Sequence, residues 1–342
     1  MRERQANYHI YGLHLSSDYA FRTPLAKAKA KAKAESAGAA GASFASTSSA
    51  GTVRFGCRVV PVSRSLTASD RIYASDEKNP QGESATQLYI SPPVEIVRYP
   101  RVADFMLTPG SIDCEVTRAD FGYLVEICLL GDVLTYYSER LGRSAIHSGA
   151  VAADGRAVLF VADSTVGKST MVASLVRAGL PLLADDIAVL ESERGQTICH
   201  RGYPQLKMNE EQVRAFTRSA GHEEFSVVHP AFDKVGVPAE RVGIFADRPL
   251  PVGAIYILQR NRATEAPIAI EAVGPMEALM NLIRNSFVSE LVDATDLRSE
   301  RLSRLSRIVK TTPVRRLSYP TGYDALPAVH RAVLDDLDRD LS

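Results

Sequence analysis

The feature that most narrows what this chain can become is a short apolar run that ends in a glycine- and lysine-bearing turn. Ala157-Val158-Leu159-Phe160-Val161-Ala162 reads as a buried strand, and Asp163-Ser164-Thr165-Val166-Gly167-Lys168-Ser169 follows without a break. The next stretch, Thr170 to Ala178 with Met171, Leu175 and Val176 at helical spacing, reads as a helix closed by Gly179. Strand, tight turn and helix is the arrangement in which backbone N–H groups and a helix N-terminus converge on phosphate. From Ala162 to Ser169 the spacing is that of the Walker A pattern, with Ala in place of the first Gly. The loss is modest because that position ends the strand. In this reading Ala162, Asp163, Ser164, Thr165, Val166, Gly167, Lys168, Ser169 and Thr170 form a nucleotide site. Lys168 reaches the β- and γ-phosphate oxygens and the Ser169 hydroxyl ligates Mg²⁺. ATP with Mg²⁺ is the expected occupant.

A pair of acids follows. Leu180-Pro181-Leu182-Leu183-Ala184-Asp185-Asp186-Ile187-Ala188-Val189-Leu190 reads as two apolar strands with Asp185 and Asp186 between them. If these strands are parallel neighbours of the loop strand, the acids lie beside the phosphates, because open α/β sheets bind ligands at the carboxyl ends of their strands. One carboxylate would hold metal directly or through water, and the other would accept the proton of an attacking hydroxyl. Successive strand residues point to opposite faces, so only one of the two faces the γ-phosphate, and the pair alone does not say which.

The rest of the chain divides around this core. Tyr8–Leu15 reads as a first strand ending in a Ser-Ser-Asp turn. From Leu25 the chain alternates Ala with Lys27, Lys29, Lys31 and Lys33, then becomes an Ala/Gly/Ser/Thr tract to Gly51. With little bulk to offset ordering entropy, it reads as a flexible insertion. Strand-like segments return at Val53–Val62, Gln87–Tyr89, Val94–Val97, Ala103–Leu107 and Ile112–Thr117, and a helix is predicted over Tyr123–Leu141, leaving at Gly142 and joining two domains. The expected architecture is α/β: a smaller β-rich N-terminal domain over 1–140, carrying the insertion at about 25–51, and a P-loop domain over 141–342.

Order and spacing carry a resemblance. His147 precedes Lys168 by 21 residues, and Asp185 and Asp186 follow it by 17 and 18. In this the chain resembles the HPr kinase/phosphorylase superfamily, whose core has a His, a phosphate loop and then a paired Asp. The resemblance implies an HPr kinase/PEP carboxykinase-like C-terminal domain. Within it Lys168 binds phosphate, Ser169 ligates Mg²⁺, and Asp186 is the general base for a substrate serine, which leaves Asp185 for the metal. His147 would lie near the transferred phosphate, where an imidazolium or its N–H could stabilise developing charge. Where family members with phosphorylase activity carry a metal-binding Glu-x-Arg-Gly, this chain has Cys199-His200-Arg201-Gly202, so neither that ligand nor the reverse reaction carries over. Tyr11 to Ser17, Gly202 to Met208 and Val314 to Pro320 look like the HPr-kinase-like proteins of lasso-peptide biosynthesis, which phosphorylate a precursor peptide on its C-terminal serine. The implied partner is a peptide or protein with an acceptor serine, and a homo-oligomer is compatible. Two rival functions are a kinase acting on the folded carrier HPr or another protein, and a nucleotide-sensing module without transfer activity.

Composition closes off other classes. Lys+Arg and Asp+Glu number 40 each, so no basic field points to nucleic acid or an anionic membrane. The 4 cysteines, Cys57, Cys114, Cys128 and Cys199, include no CxxC pair and read as reduced thiols. No signal peptide or spanning apolar run is present, and a cytoplasmic protein is expected. Lys207, Lys234 and Arg241, in or beside the loop-rich stretch Glu210–Arg241, read as exposed surface cations. Arg315 and Arg316 are candidates for a peptide carboxylate or the triphosphate. His200, His222 and His229 lack metal-like spacing and receive no role.

Overall fold

The computed structural model describes residues 5–28, 44, 52–163, 166–219, 221, 223–228 and 233–339. The chain forms two compact units, Met1–Gly142 with Val288–Arg301, and Arg143–Phe287 with Leu302–Ser342.

The first unit is built on β1 (Ala6–Ile10), β2 (Leu13–Ser17), β3 (Thr52–Val59), β4 (Arg71–Ala74), β5 (Gln87–Ser91), β6 (Val94–Tyr99), β7 (Ala103–Thr108) and β8 (Ser111–Val116). They make one 8-stranded sheet in the order β1-β2-β3-β8-β7-β6-β5-β4. Tyr8–Leu15 is therefore a hairpin and not a single strand. Tyr11 and Gly12 both take positive φ, 55° and 76°, the conformation of a two-residue turn whose twist matches its strands. The start of the expected flexible insertion is also ordered. His9 N–H donates to the Ala26 carbonyl and Ala28 N–H to that of Asn7, each at 2.9 Å, laying this stretch along β1. Phe44, within the same tract, is buried with its ring edge-on to Tyr137 at 5.3 Å. The other residues of the tract, 29–43 and 45–51, lie outside those described. Helix follows as α1 (Gly122–Cys128), a π-helical turn over Leu129–Val133 and α2 (Leu134–Arg140), and the chain leaves through Gly142 at φ 81°.

In the second unit the large sheet comprises β9 (Ser144–Ile146), β10 (Ser148–Ala153), β11 (Arg156–Val161), β12 (Leu182–Ala184), β13 (Ala188–Glu193), β14 (Gln196–His200), β18 (Leu250–Asn261), β19 (Ala269–Ala272) and β20 (Val314–Pro320). A small sheet joins β15 (Gln205–Met208), β16 (Ser226–Val227) and β17 (Val235–Pro238). The central strands β11, β18 and β20 are mutually parallel neighbours. Alternation along β11 gives the unit two cores. Val158, Phe160 and Ala162 face a core shared with α3 (Lys168–Arg177), α4 (Glu210–Phe216) and α8 (Leu326–Arg339). Ala157, Leu159 and Val161 face the other, shared with α5 (Pro275–Arg284) and with Leu305 and Ile308 of α7 (Arg298–Thr311). The α3 layer lies so close to β10 that a Cβ at Gly149 would stand 2.4 Å from Val172 Cγ2. One expectation needs correcting: β12, which leads to the acid pair, is not the neighbour of β11. Antiparallel β10 stands between them, so β11 and β12 run the same way one strand apart. Among the described residues, no helix is long and apolar enough to cross a membrane.

Candidate active site

The carboxyl ends of the three parallel strands open on one cavity of about 520 Å³. β11 delivers Asp163 and the phosphate loop, β18 delivers Arg260, and β20 delivers Tyr319 in register with Arg260. Gly167 sits at the head of α3 with φ 117°, a conformation that lets the chain turn into the helix while its N–H groups face outward. A Cβ there would come within 2.9 Å of Tyr319 Oη, which itself lies 3.3 Å from the Val166 carbonyl it donates to. Of the expected nucleotide residues, Asp163, Gly167, Lys168, Ser169 and Thr170 line the cavity; Ala162 is buried beneath it, and Ser164 and Thr165 are outside the described residues.

Lys168 is buried to 7% exposure at the first position of α3. Burial pushes its ammonium down to about 8 against the pull of Asp186 and Asp185, so the empty site holds a cation short of counter-charge. Thr170 is fixed by Gln212 Nε2, which donates to its hydroxyl at 2.8 Å. Gln212 is itself half of a capping box with Asn209 at the head of α4.

The two acids, which follow the end of β12, divide between cavity and core. Asp186, at φ 71°, lines the cavity together with His147. Asp185 turns away and is buried: its Oδ2 accepts the Lys207 N–H at 2.7 Å, while its Oδ1 has no hydrogen-bond partner among the described residues. Burial, then the neighbouring Asp186 carboxylate, raises Asp185 to about 6. Burial would raise Asp186 too, but Lys207, then His147 and Lys168, more than offset it and hold it at about 2. Lys207 Nζ stands 2.5 Å from Asp186 Oδ2 and His147 Nδ1 stands 3.3 Å from Oδ1. For His147, burial lowers the imidazole more than Asp186 raises it, so the ring is neutral near pH 7. The ring stacks on Phe287 at 6.2 Å, and the His147 N–H donates to the Asn285 carbonyl at 2.6 Å.

These contacts correct several expectations. Lys207 is no exposed cation but the partner of Asp186. Burial alone would lower its ammonium; Tyr203 and Asp186 reverse this and raise it. Arg315 and Arg316 do not line the cavity. Arg315 pairs with Asp336 at 3.2 Å, and Arg316 with Glu271 and Glu277. Arg241 pairs with Glu224 at 2.9 Å, whereas Lys234 is exposed and does line the cavity. Cys199 is buried in β14, and His200, given no role, bonds Glu191 at 2.7 Å. His222 and His229 lie outside the described residues. Residues that sequence reasoning passed over include Arg260, Tyr319, Gln212 and Tyr323. Two signals pointed to them: the end of the apolar run Val252–Leu258, and the Asn209-x-x-Gln212 box.

The donor set fits a triphosphate with a hard cation: a helix N-terminus and Lys168 for phosphate, the Ser169 hydroxyl and carboxylate oxygens for Mg²⁺, with the unpartnered Asp185 Oδ1 behind them. No family model and no curated protein matches the chain. Among solved structures, the Hpr(Ser) kinase/phosphatase from Coxiella burnetii is similar to it at 13% identity, over 57% of this chain and 98% of that one, with a TM-score of 0.30.

Proposed function

We propose that the protein is an ATP-dependent phosphotransferase that moves the γ-phosphoryl group to a serine hydroxyl of a peptide, the C-terminal serine of a lasso-peptide precursor being the specific substrate. The observation that carries the transfer reading is that Lys168, at the head of α3, and the Asp186 carboxylate line one cavity. The helix head and Lys168 suffice to hold phosphate; a carboxylate in the same cavity also gives an attacking hydroxyl a place to leave its proton. The choice of peptide rests on the resemblance of the flanking segments.

Phosphate oxygens lie against the head of α3 and Lys168, whose buried ammonium gains a counter-charge from them. Mg²⁺, for which Ser169 offers a hydroxyl in the cavity, would supply charge neutralisation and orientation of the triphosphate. The acceptor hydroxyl enters beside Asp186. Its oxygen forms a bond to the γ-phosphorus as the bond from phosphorus to the β-bridging oxygen breaks, its proton passes to Asp186, and ADP leaves. A carboxylate at about 2 is a weak base. It suffices because the transition state is loose and the hydroxyl becomes acidic only as the new bond forms. His147 offers an N–H to the same region without adding positive charge. Most of the acceleration comes from positioning and electrostatics.

The test is transfer of radiolabelled phosphate from ATP to a Ser-terminated precursor peptide. Label on the serine is expected, and Asp186→Asn removes it while nucleotide still binds. A wild-type protein that binds ATP and leaves the peptide unlabelled ends this substrate assignment; label appearing instead on folded HPr would move it to a protein kinase.

A further inference from the structure

Lys207 touches both members of the acid pair. Its N–H donates to Asp185 Oδ2 at 2.7 Å and its ammonium to Asp186 Oδ2 at 2.5 Å. The reach is built into the strand. In β15 the side chains of Leu206 and Met208 are buried in the core under α3, so Lys207 leaves from the opposite face. β15 pairs along its length with β17, and Asn209, the next residue, is tied into the capping box of α4. The ammonium therefore projects from a backbone fixed on both sides. Lys207 is not among the residues that line the cavity, whereas Asp186 is. Around the acid stand His147 at its other oxygen, Asp185 beside it, and Lys168 in the lining of the same cavity.

We propose that Lys207 is the positioning residue of this site: it clamps Asp185 through its backbone and Asp186 through its ammonium, so that one carboxylate stays aimed where the acceptor hydroxyl arrives. The inference rests on the phosphotransfer reading. Without the ammonium, Asp186 keeps only the 3.3 Å contact to His147 and is pushed by its neighbouring acid, and it can rotate away from the line of attack. A displacement of about 1 Å in a reacting geometry costs on the order of 10²-fold in rate. Binding of nucleotide, which meets Lys168 and the head of α3, is not touched.

The experiment compares wild type, Lys207→Met and Lys207→Arg in peptide phosphorylation and in nucleotide binding. Lys207→Met is expected to lower kcat by about 10²-fold, with peptide KM and nucleotide Kd changed less than about threefold, and Lys207→Arg, which restores a charged donor, to recover most of that loss. A kcat for Lys207→Met within about threefold of wild type overturns the proposal, as does a loss that lies wholly in Kd, which would make Lys207 a nucleotide ligand. If wild type binds nucleotide but transfers to no acceptor, the phosphotransfer reading fails separately. The clamp is then decided by thermal unfolding of Lys207→Met, Asp186→Asn and the double variant. A double loss about 2–4 °C smaller than the sum keeps it, and additive losses overturn it.

Discussion

In the proposed function, the ammonium of Lys168 makes nucleotide binding a function of pH with a definite sign. In the empty site burial holds this group at about 8, so it is mostly charged at pH 7 and mostly neutral at pH 9. A triphosphate binds the charged form. The protonated fraction falls about tenfold across that interval, so affinity falls about tenfold, equivalent to roughly 1.4 kcal/mol. Near pH 8 each nucleotide bound should take up about half a proton. Stability of the empty protein moves the other way. The folded-state value lies below the ordinary lysine value, so the penalty, about 3 kcal/mol, is complete below pH 8 and is lifted as pH climbs from 8 towards 10.5. The assay is titration calorimetry at pH 7, 8 and 9 in buffers of different ionisation enthalpy, with thermal unfolding of the empty protein over the same range. A Kd that stays flat from pH 7 to 9 with no proton uptake refutes the reasoning. So does a Lys168→Met variant that binds more weakly but keeps the same pH dependence.

Other substitutions probe the scaffold and the chemistry separately. Gly149→Ala places a methyl 2.4 Å from Val172 Cγ2 and should destabilise by about 1–3 kcal/mol, read by denaturant unfolding, and Val172→Ala in the same chain should recover part of it. Gly167→Ala meets both a φ of 117° and Tyr319 Oη at 2.9 Å, so nucleotide Kd should rise at least about tenfold, and the strain should lower folding stability by about 1–3 kcal/mol, read by denaturant unfolding. Asp186→Asn should leave nucleotide Kd within about threefold and lower kcat by about 10³-fold or more; near-normal turnover would remove Asp186 from the chemistry.

What the sequence showed depended on how far apart the interacting residues lie. The strand before Gly167 and the helix after it were legible because they are nearly contiguous and each has its own signal: apolar residues, Gly167, and the spacing of Met171, Leu175 and Val176. Asp185 and Asp186 could be placed at a strand end, but not which of them faces the cavity, because the left-handed backbone of Asp186 and the intervening β10 have no local sequence signal. Lys207 looked like a surface cation, since nothing local ties it to acids 21 and 22 residues earlier; the small sheet that carries it creates the contact. Arg315 and Arg316 failed for the converse reason. Their charges are answered by Asp336, Glu271 and Glu277, partners that only folding brings near. The turn at Tyr11-Gly12 was hidden because a hairpin reads as one strand when its turn residues are aromatic and glycine.

The 40-to-40 charge balance of the chain is repeated at the scale of the cavity. Its lining cations Lys168, Lys234 and Arg260 stand against Asp163, Asp186 and Glu211, and His147 is neutral. A triphosphate therefore enters a lining with no net positive charge. The head of α3 supplies only about half a charge, and Lys168 sits at about 8 for want of an anion, but neither offsets a polyphosphate beside Asp163 and Asp186. The remaining positive charge has to arrive with the ligand, from a hard cation on oxygen donors such as Ser169 and the acids. ATP should accordingly bind at least about tenfold more weakly when Mg²⁺ is chelated, whereas in Asp163→Asn, which removes one lining anion, the dependence on Mg²⁺ should shrink. Calorimetric titration with and without chelator, on both proteins, measures the difference. Equal ATP affinity in chelator and in Mg²⁺ would show that the protein alone carries the anion, and would contradict this account of the charges around it.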